Sequence, residues 1–204
     1  MAKITAIEVQ KKDKKRYNLF LDGEFFSGVS METVLTHHLN VGDELEQKEL
    51  GNIIFLSEKE KALNKALDYL SKTIKTRRQI KDYLTKKGYS EEIIYNVINK
   101  LIEYNIIDDV EYSKRYIEST RKKQGKKLIE FKLMEKGVRK EDIIKAYDQV
   151  EETEEDLAYN LAVKHIKNKE RTRENYSKTY KYLIGKGFAF EEIDRAIMKL
   201  KEEE

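Results

Sequence analysis

The chain has 204 residues, of which 39% are hydrophobic and 39% charged, against about 25% charged in ordinary domains. That balance excludes a thick central core and predicts thin modules with a large wetted surface, while 13 Tyr and 7 Phe keep the chain out of the disordered class. The absence of Cys excludes disulfides, a thiol nucleophile and Cys-based metal sites, and no apolar run approaches the roughly 18 residues that span a membrane; a cytoplasmic protein is expected.

The first segment reads as strands. Ile4, Ile7 and Val9 lead into the polar run Lys11–Arg16, expected to be a hairpin turn, and Tyr17, Leu19 and Leu21 follow. Asp22-Gly23 before Phe25-Phe26 is a two-residue hairpin signal, because both residues tolerate positive φ. Ser30 is placed to cap a short helix reaching about His38, and Gly42 to mark the next turn. From Ser57 onward the pattern is helical. Ser57 and Glu60 have the spacing of a capping box, followed by Ala62, Leu63, Ala66, Leu67 and Leu70 at helical intervals. Thr76 with Gln79, and Asp108 with Glu111, have the same spacing.

An internal repeat organises the remainder. Lys87-Gly88, Lys136-Gly137 and Lys186-Gly187 recur at intervals of 49 and 50 residues. Leu84, Leu133 and Leu183 precede the glycines at a common offset; Ile94, Ile143 and Ile193 follow at another. Twelve residues before the glycines stand Thr76, Gly125 and Asn175, all acceptable N-caps. Each Gly falls where a helix end needs a left-handed residue. The expected fold is mainly α: three tandem three-helix repeats in an elongated curved array, with a small N-terminal β-hairpin domain. The expected divisions are 1–56, 57–106, 107–151 and 152–204, and the first helix of each repeat is expected over 58–73, 109–123 and 154–168.

Three local patterns then resemble the RecX family, regulators of the RecA recombinase. They are Ala66–Leu70 followed by Thr76–Ile80 and Leu84–Tyr89; Ile107–Ser113 continuing through Tyr116-Ile117 to Arg121; and Gly125 leading through Leu133–Val138. The likeness covers roughly residues 58–200. The chain departs from the family's Ser-x-x-Glu-Leu at the start of the second helix, where it has Thr76-x-x-Gln79-Ile80, which keeps a capping box and an apolar position. The resemblance implies a non-catalytic protein that binds RecA filaments on single-stranded DNA. It would modulate, chiefly by inhibition, their ATP hydrolysis, strand exchange and co-protease activity, in DNA repair, homologous recombination and the SOS response.

The residues themselves offer basic clusters. Residues 72–87, 111–140 and 164–181 each hold a large excess of Lys and Arg, and each straddles the junction between the first and second helix of its repeat. Stacked in register, these junctions would form a discontinuous basic stripe able to follow phosphates. The candidates for electrostatic contact with RecA or DNA are Arg77, Arg78, Arg115, Arg121, Lys122, Lys123, Lys126 and Lys127. Tyr112 and Tyr116 are stacking candidates, with Tyr176 and Tyr180 near the third cluster; the helical spacing of these rings favours core or groove packing over stacking. Asp108-Asp109 and the acidic run Glu151–Asp156 open helices, where carboxylates oppose the dipole. His37-His38 point about 100° apart on a helix and make a poor chelate. No phosphate-cradling loop or nucleophile elbow occurs, so neither enzymatic activity, metal nor cofactor is expected. The expected partner is the RecA nucleoprotein filament, with single- or double-stranded DNA as a direct contact, engaged by a monomer. Two other classes suit the same residues: a helical array that binds nucleic acid without RecA, and an adaptor for an unrelated protein.

Overall fold

The computed structural model describes residues 1–11, 13–150 and 156–202. The fold is mainly helical, with a small antiparallel sheet at its N-terminus. The chain divides into two compact units, Met1–Ile107 and Asp108–Glu204.

In the first unit, β1 (Ala2–Val9), β2 (Arg16–Leu21) and β3 (Glu24–Ser30) form a meander, and the two-residue strand β4 (Glu44–Leu45) adds to the far side of β1, giving the order β3-β2-β1-β4. Asp22 and Gly23 both take positive φ, 48° and 89°, and bring Leu21 opposite Glu24. Primed turns of this kind match the natural twist of the two strands. Helix α1 (Met31–Thr36) follows, with the Ser30 side chain accepting from the Thr33 N–H. Ile4, Leu19, Leu21 and Val29 of the sheet pack on Leu39, Leu50 and Ile54.

The last two residues belong to α2 (Gln47–Leu70), a helix of 24 residues. The helix expected to start after Ser57 therefore starts eleven residues earlier, at Gln47, and the Ser57–Glu60 capping box does not form, because Ser57 lies in mid-helix. The cause is a second apolar stretch: Leu50 and Ile54 cover the sheet, while Ala62 and Ala66 further along pack against α3 (Arg77–Lys86) and α4 (Glu91–Glu103). One helix thus serves two cores.

The polar run also needs correction. Lys12 lies outside the described residues, and Arg16, expected in the turn, opens β2 and is only 4% exposed. Its guanidinium meets Glu58 Oε2 at 2.9 Å and donates to the carbonyls of Gly28 and Gly88 at 3.0 and 3.1 Å. It also lies 4.7 Å from the centre of the Tyr89 ring. Glu58, with no exposure, further accepts from the Ser30 N–H and the Thr33 hydroxyl. Burial of a charge pair is offset as far as its remaining lone pairs and protons find partners: the Glu58 carboxylate accepts at both of its oxygens, while the buried Arg16 Nε is left without a hydrogen bond among the described residues.

The second unit contains α5 (Asp109–Thr120), α6 (Lys126–Glu135) and α7 (Lys140–Asp148), then α8 (Leu157–Ile166), α9 (Arg173–Gly185) and α10 (Phe190–Glu202). Each set of three has its own core: Ile117, Ile129, Leu133 and Ile143 in one, Ala162, Leu183, Ile193 and Leu200 in the other. Residues 151–155 of the acidic run lie outside the described residues; Asp156 caps α8 by accepting from the Tyr159 N–H.

The repeat glycines end α3, α6 and α9 in the same way. Gly88, Gly137 and Gly187 have φ of 80°, 81° and 85°. In each case the next residue's N–H reaches back to the Leu four residues before the Gly, as Tyr89 to Leu84, Val138 to Leu133 and Phe188 to Leu183. These are Schellman turns, and both apolar partners of each turn are buried. Thr76 caps α3 in a reciprocal box with Gln79, and Gly125 precedes α6. The third cap differs from expectation. Thr172, not Asn175, begins α9, because that helix carries one more turn and its buried face starts earlier, at Tyr176.

Gly125 and Gly187 meet. The Gly125 N–H donates to the Lys186 carbonyl at 2.8 Å and the Lys127 N–H to the Gly187 carbonyl at 3.1 Å. A Cβ on either glycine would sit well inside 3.0 Å of the facing backbone, so the start of α6 and the end of α9 join main chain to main chain.

Candidate binding surface

Helix starts normally carry acidic residues, which oppose the positive end of the dipole. The third helix of each set obeys: α4 opens with Glu91-Glu92, α7 has Glu141-Asp142 and α10 has Glu191-Glu192 in the first turn. The second helices do the opposite. α3 opens with Arg77-Arg78 and α6 with Lys126-Lys127, neither having an acid in the first turn; α9 opens with Arg173, followed by Glu174. Each misplaced cation costs the helix about 0.3–1 kcal/mol at low salt. Side-chain charge and dipole there have the same sign, so the field favours an anionic partner.

The candidate residues fall into distinct environments. Lys122 and Lys123 are exposed in the α5–α6 connection. Lys126 and Lys127 are also exposed, their ammonium groups 4.7 Å from the Tyr147 ring centre and 5.2 Å from that of Phe190. Contacts of this kind are worth ~0.5–1 kcal/mol at a wet surface, little enough for an arriving anion to exchange them. Arg78 lies 3.8 Å from Asp82 and Arg115 2.7 Å from Glu111, both exposed pairs one helical turn apart, which contribute ~0–1 kcal/mol. Arg77 and Arg121 are half-buried and bonded within the fold. The candidates of the first unit and those of the second are thus two local groups.

Tyr112 and Tyr116 stack nearly parallel, with centres 6.5 Å apart, and pack half-buried against the α5–α7 core. Burial pushes both hydroxyls above the usual tyrosine range, so they stay protonated. Lys136 covers the Tyr116 ring at 5.7 Å.

Two ring pairs do not stand out in the sequence pattern. Tyr69 stacks on Tyr83 and His165 on Tyr182, each at 4.3 Å between centres. Tyr83 and Tyr182 both stand five residues before a repeat glycine, and the lysines before those glycines, Lys87 and Lys186, cover their rings at 5.7 and 5.3 Å. The matched offset is the available signal; the partner on the first helix, tyrosine in one set and histidine in the other, disguises it. His165 also meets Thr179 Oγ1 at 3.0 Å, and burial, then Lys169, lowers its pKa. Among the described residues no group of three or more acidic, His or Cys side chains is placed to hold a metal, and no helix is long and apolar enough to cross a membrane.

Residues 2–46 match the regulatory protein RecX N-terminal domain, and residues 62–101 match the first three-helix domain of RecX. The chain is 36% identical to the regulatory protein RecX of Clostridium tetani, over 97% of this chain and 94% of the relative. It is 37% identical to that of Clostridium beijerinckii, over 98% and 96%. A crystal structure of regulatory protein RecX superposes with a TM-score of 0.63 at 30% identity, covering 95% of this chain and 98% of the other. RecX from Lactobacillus salivarius gives 0.64 at 28% identity, covering 72% and 98%. The chain belongs to the RecX family of regulatory proteins.

Proposed function

We propose that this protein binds RecA filaments assembled on single-stranded DNA and lowers their ATPase, strand-exchange and co-protease activities. It acts as a cytoplasmic monomer without chemistry of its own. The observation that carries the reading, beside family membership, is the reversed charge order at α3 and α6. Two helices give up local stability to hold cations where the dipole already favours an anion. Arg77, Arg78, Arg115 and Arg121, with Lys122, Lys123, Lys126 and Lys127, supply the contacts, to acidic patches of RecA and to phosphates of the enclosed strand. A protein seated there obstructs pairing with a second DNA and access of a cleavable repressor.

The test is the DNA-dependent ATPase rate of the cognate RecA on single-stranded DNA, with this protein titrated in below one copy per RecA. Binding of the protein alone to the same DNA is measured at the same salt. The rate is expected to fall at concentrations that leave free DNA unbound. A flat rate, or one that falls only when the DNA is coated, removes the filament from the mechanism.

A further inference from the structure

The α9–α10 face of the second unit carries a cavity of about 600 Å³, lined by Arg173, Tyr176, Ser177, Tyr180, Ile197 and Lys201. Tyr176 and Ile197 are nearly buried and form an apolar floor. The exposed Lys201 ammonium lies 5.3 Å from the Tyr176 ring centre. Arg171 donates to the Leu200 carbonyl at 2.9 Å, adding a guanidinium at the same helix end. Among the described residues no carboxylate lines the cavity. Of the described carboxylates nearby, Glu174 pairs with Lys178 at 2.7 Å and Asp194 accepts from the Tyr180 hydroxyl, while Glu191 also lies close enough to raise the pKa of that hydroxyl.

The lining is therefore divided. Arg173, Lys201 and the Ser177 hydroxyl are donors suited to a phosphate. The tyrosine rings with Ile197 suit a flat, weakly polar ring. Inorganic phosphate would leave the apolar floor uncovered, and a plain aromatic would leave two cations unmatched. The volume is that of an ordinary small-ligand site, roughly 300–1,000 Å³. We propose that this cavity binds a nucleotide, its phosphate on Arg173 and Lys201 and its base against Tyr176, Tyr180 and Ile197. The nucleotide is either free or one residue of a single strand. The site is independent of the proposed RecA contacts on α3 and α6.

Calorimetric titration of the full chain without RecA tests it, using adenosine 5′-monophosphate, adenosine and inorganic phosphate as probes. The monophosphate is expected to bind at least roughly tenfold more tightly than either fragment. R173Q and K201Q should each weaken it several-fold while leaving the chain folded, with a thermal melt shifted by no more than a few degrees, since both side chains are exposed. A thymidine oligonucleotide that displaces the monophosphate identifies a strand as the source; one that does not identifies the free nucleotide. The proposal is overturned if the monophosphate binds no better than phosphate, if the R173Q/K201Q double variant binds like the parent, or if an acidic peptide binds where the monophosphate does not.

Discussion

Glu58 keeps its charge away from water because the Ser30 N–H, the Thr33 hydroxyl and a guanidinium surround it. Removing the carboxylate leaves Arg16 buried without its counterion, and breaking one side of a buried pair costs about 3–5 kcal/mol. Glu58→Ala is therefore expected to destabilise the first unit by that amount, read from denaturant unfolding. A loss under ~1 kcal/mol would mean that the guanidinium finds water instead. Tyr89, whose hydroxyl is pushed up to about 12 by burial and then by Glu58, stays neutral beside the pair throughout. His165 behaves oppositely to a surface histidine. Its folded pKa lies below its free value, so the unfolded chain binds the extra proton, and the contribution to stability, present above the unfolded pKa, is lost as pH falls. Between roughly pH 7 and pH 5 the melt of the second unit should move down, and His165→Phe, which keeps a ring against Tyr182, should flatten that slope. An unchanged slope would assign the pH dependence to other groups.

Helix ends show most plainly what is local and what is tertiary. The three Schellman turns are legible because a left-handed residue followed by an apolar one leaves a Gly at a fixed distance from a Leu. The start of α2 is not, since Ser57 and Glu60 imitate a cap inside a helix whose true start is decided by the sheet it covers. The cap of α9 escapes the repeat pattern for a similar reason: an added turn shifts the offsets from the glycine. Two glycine substitutions separate these influences. Gly185→Ala changes the last residue of α9 with nothing within 4 Å of the new methyl, and should stabilise by at most about 0.5–1 kcal/mol, the mid-helix figure. Gly125→Ala would press a methyl into the Gly187 backbone and should cost about 1–3 kcal/mol. Urea unfolding of both variants checks the pair, and equal signs would remove the main-chain joint from the account. At α6 stability and function are predicted to oppose each other. Lys126→Glu with Lys127→Glu should hold or raise the melting temperature, by relieving the dipole, while weakening inhibition of RecA. A variant that loses both together would make the lysines structural.

On the scale of the whole molecule, the high charge and modest apolar content follow from separate small cores: one under the sheet and one in each set of three helices, none thick enough to demand more. That organisation is visible in composition and period. The buried Arg16–Glu58 contact is not, because 42 residues separate the partners and each reads as one more solvated charge in a chain where 39% are charged. The basic junctions are visible as clusters, but their reversed order against the helix dipoles emerges only once the helix starts are located. If phosphates are among their contacts, inhibition of RecA should weaken as salt rises. Replacing Lys122, Lys123, Lys126 and Lys127 with Gln should reduce the salt slope by roughly one for each phosphate no longer neutralised; a parallel slope would confine the contacts to protein.

The pairing of Arg16 with Glu58 also constrains how such chains diverge. The counterion of a carboxylate in the first three-helix set is supplied by a strand of the sheet, so the sheet cannot keep Arg16 buried without that helix. The dependence runs one way: a lineage that sheds the N-terminal segment loses Arg16, Ser30 and Thr33 together, and water reaches the carboxylate they surrounded. Relatives with the segment should accordingly change the positions of Arg16 and Glu58 together, and relatives without it should be unconstrained at the position of Glu58. Aligned sequences of both kinds would decide the matter, and independent variation of the two positions where the segment is present would remove the coupling.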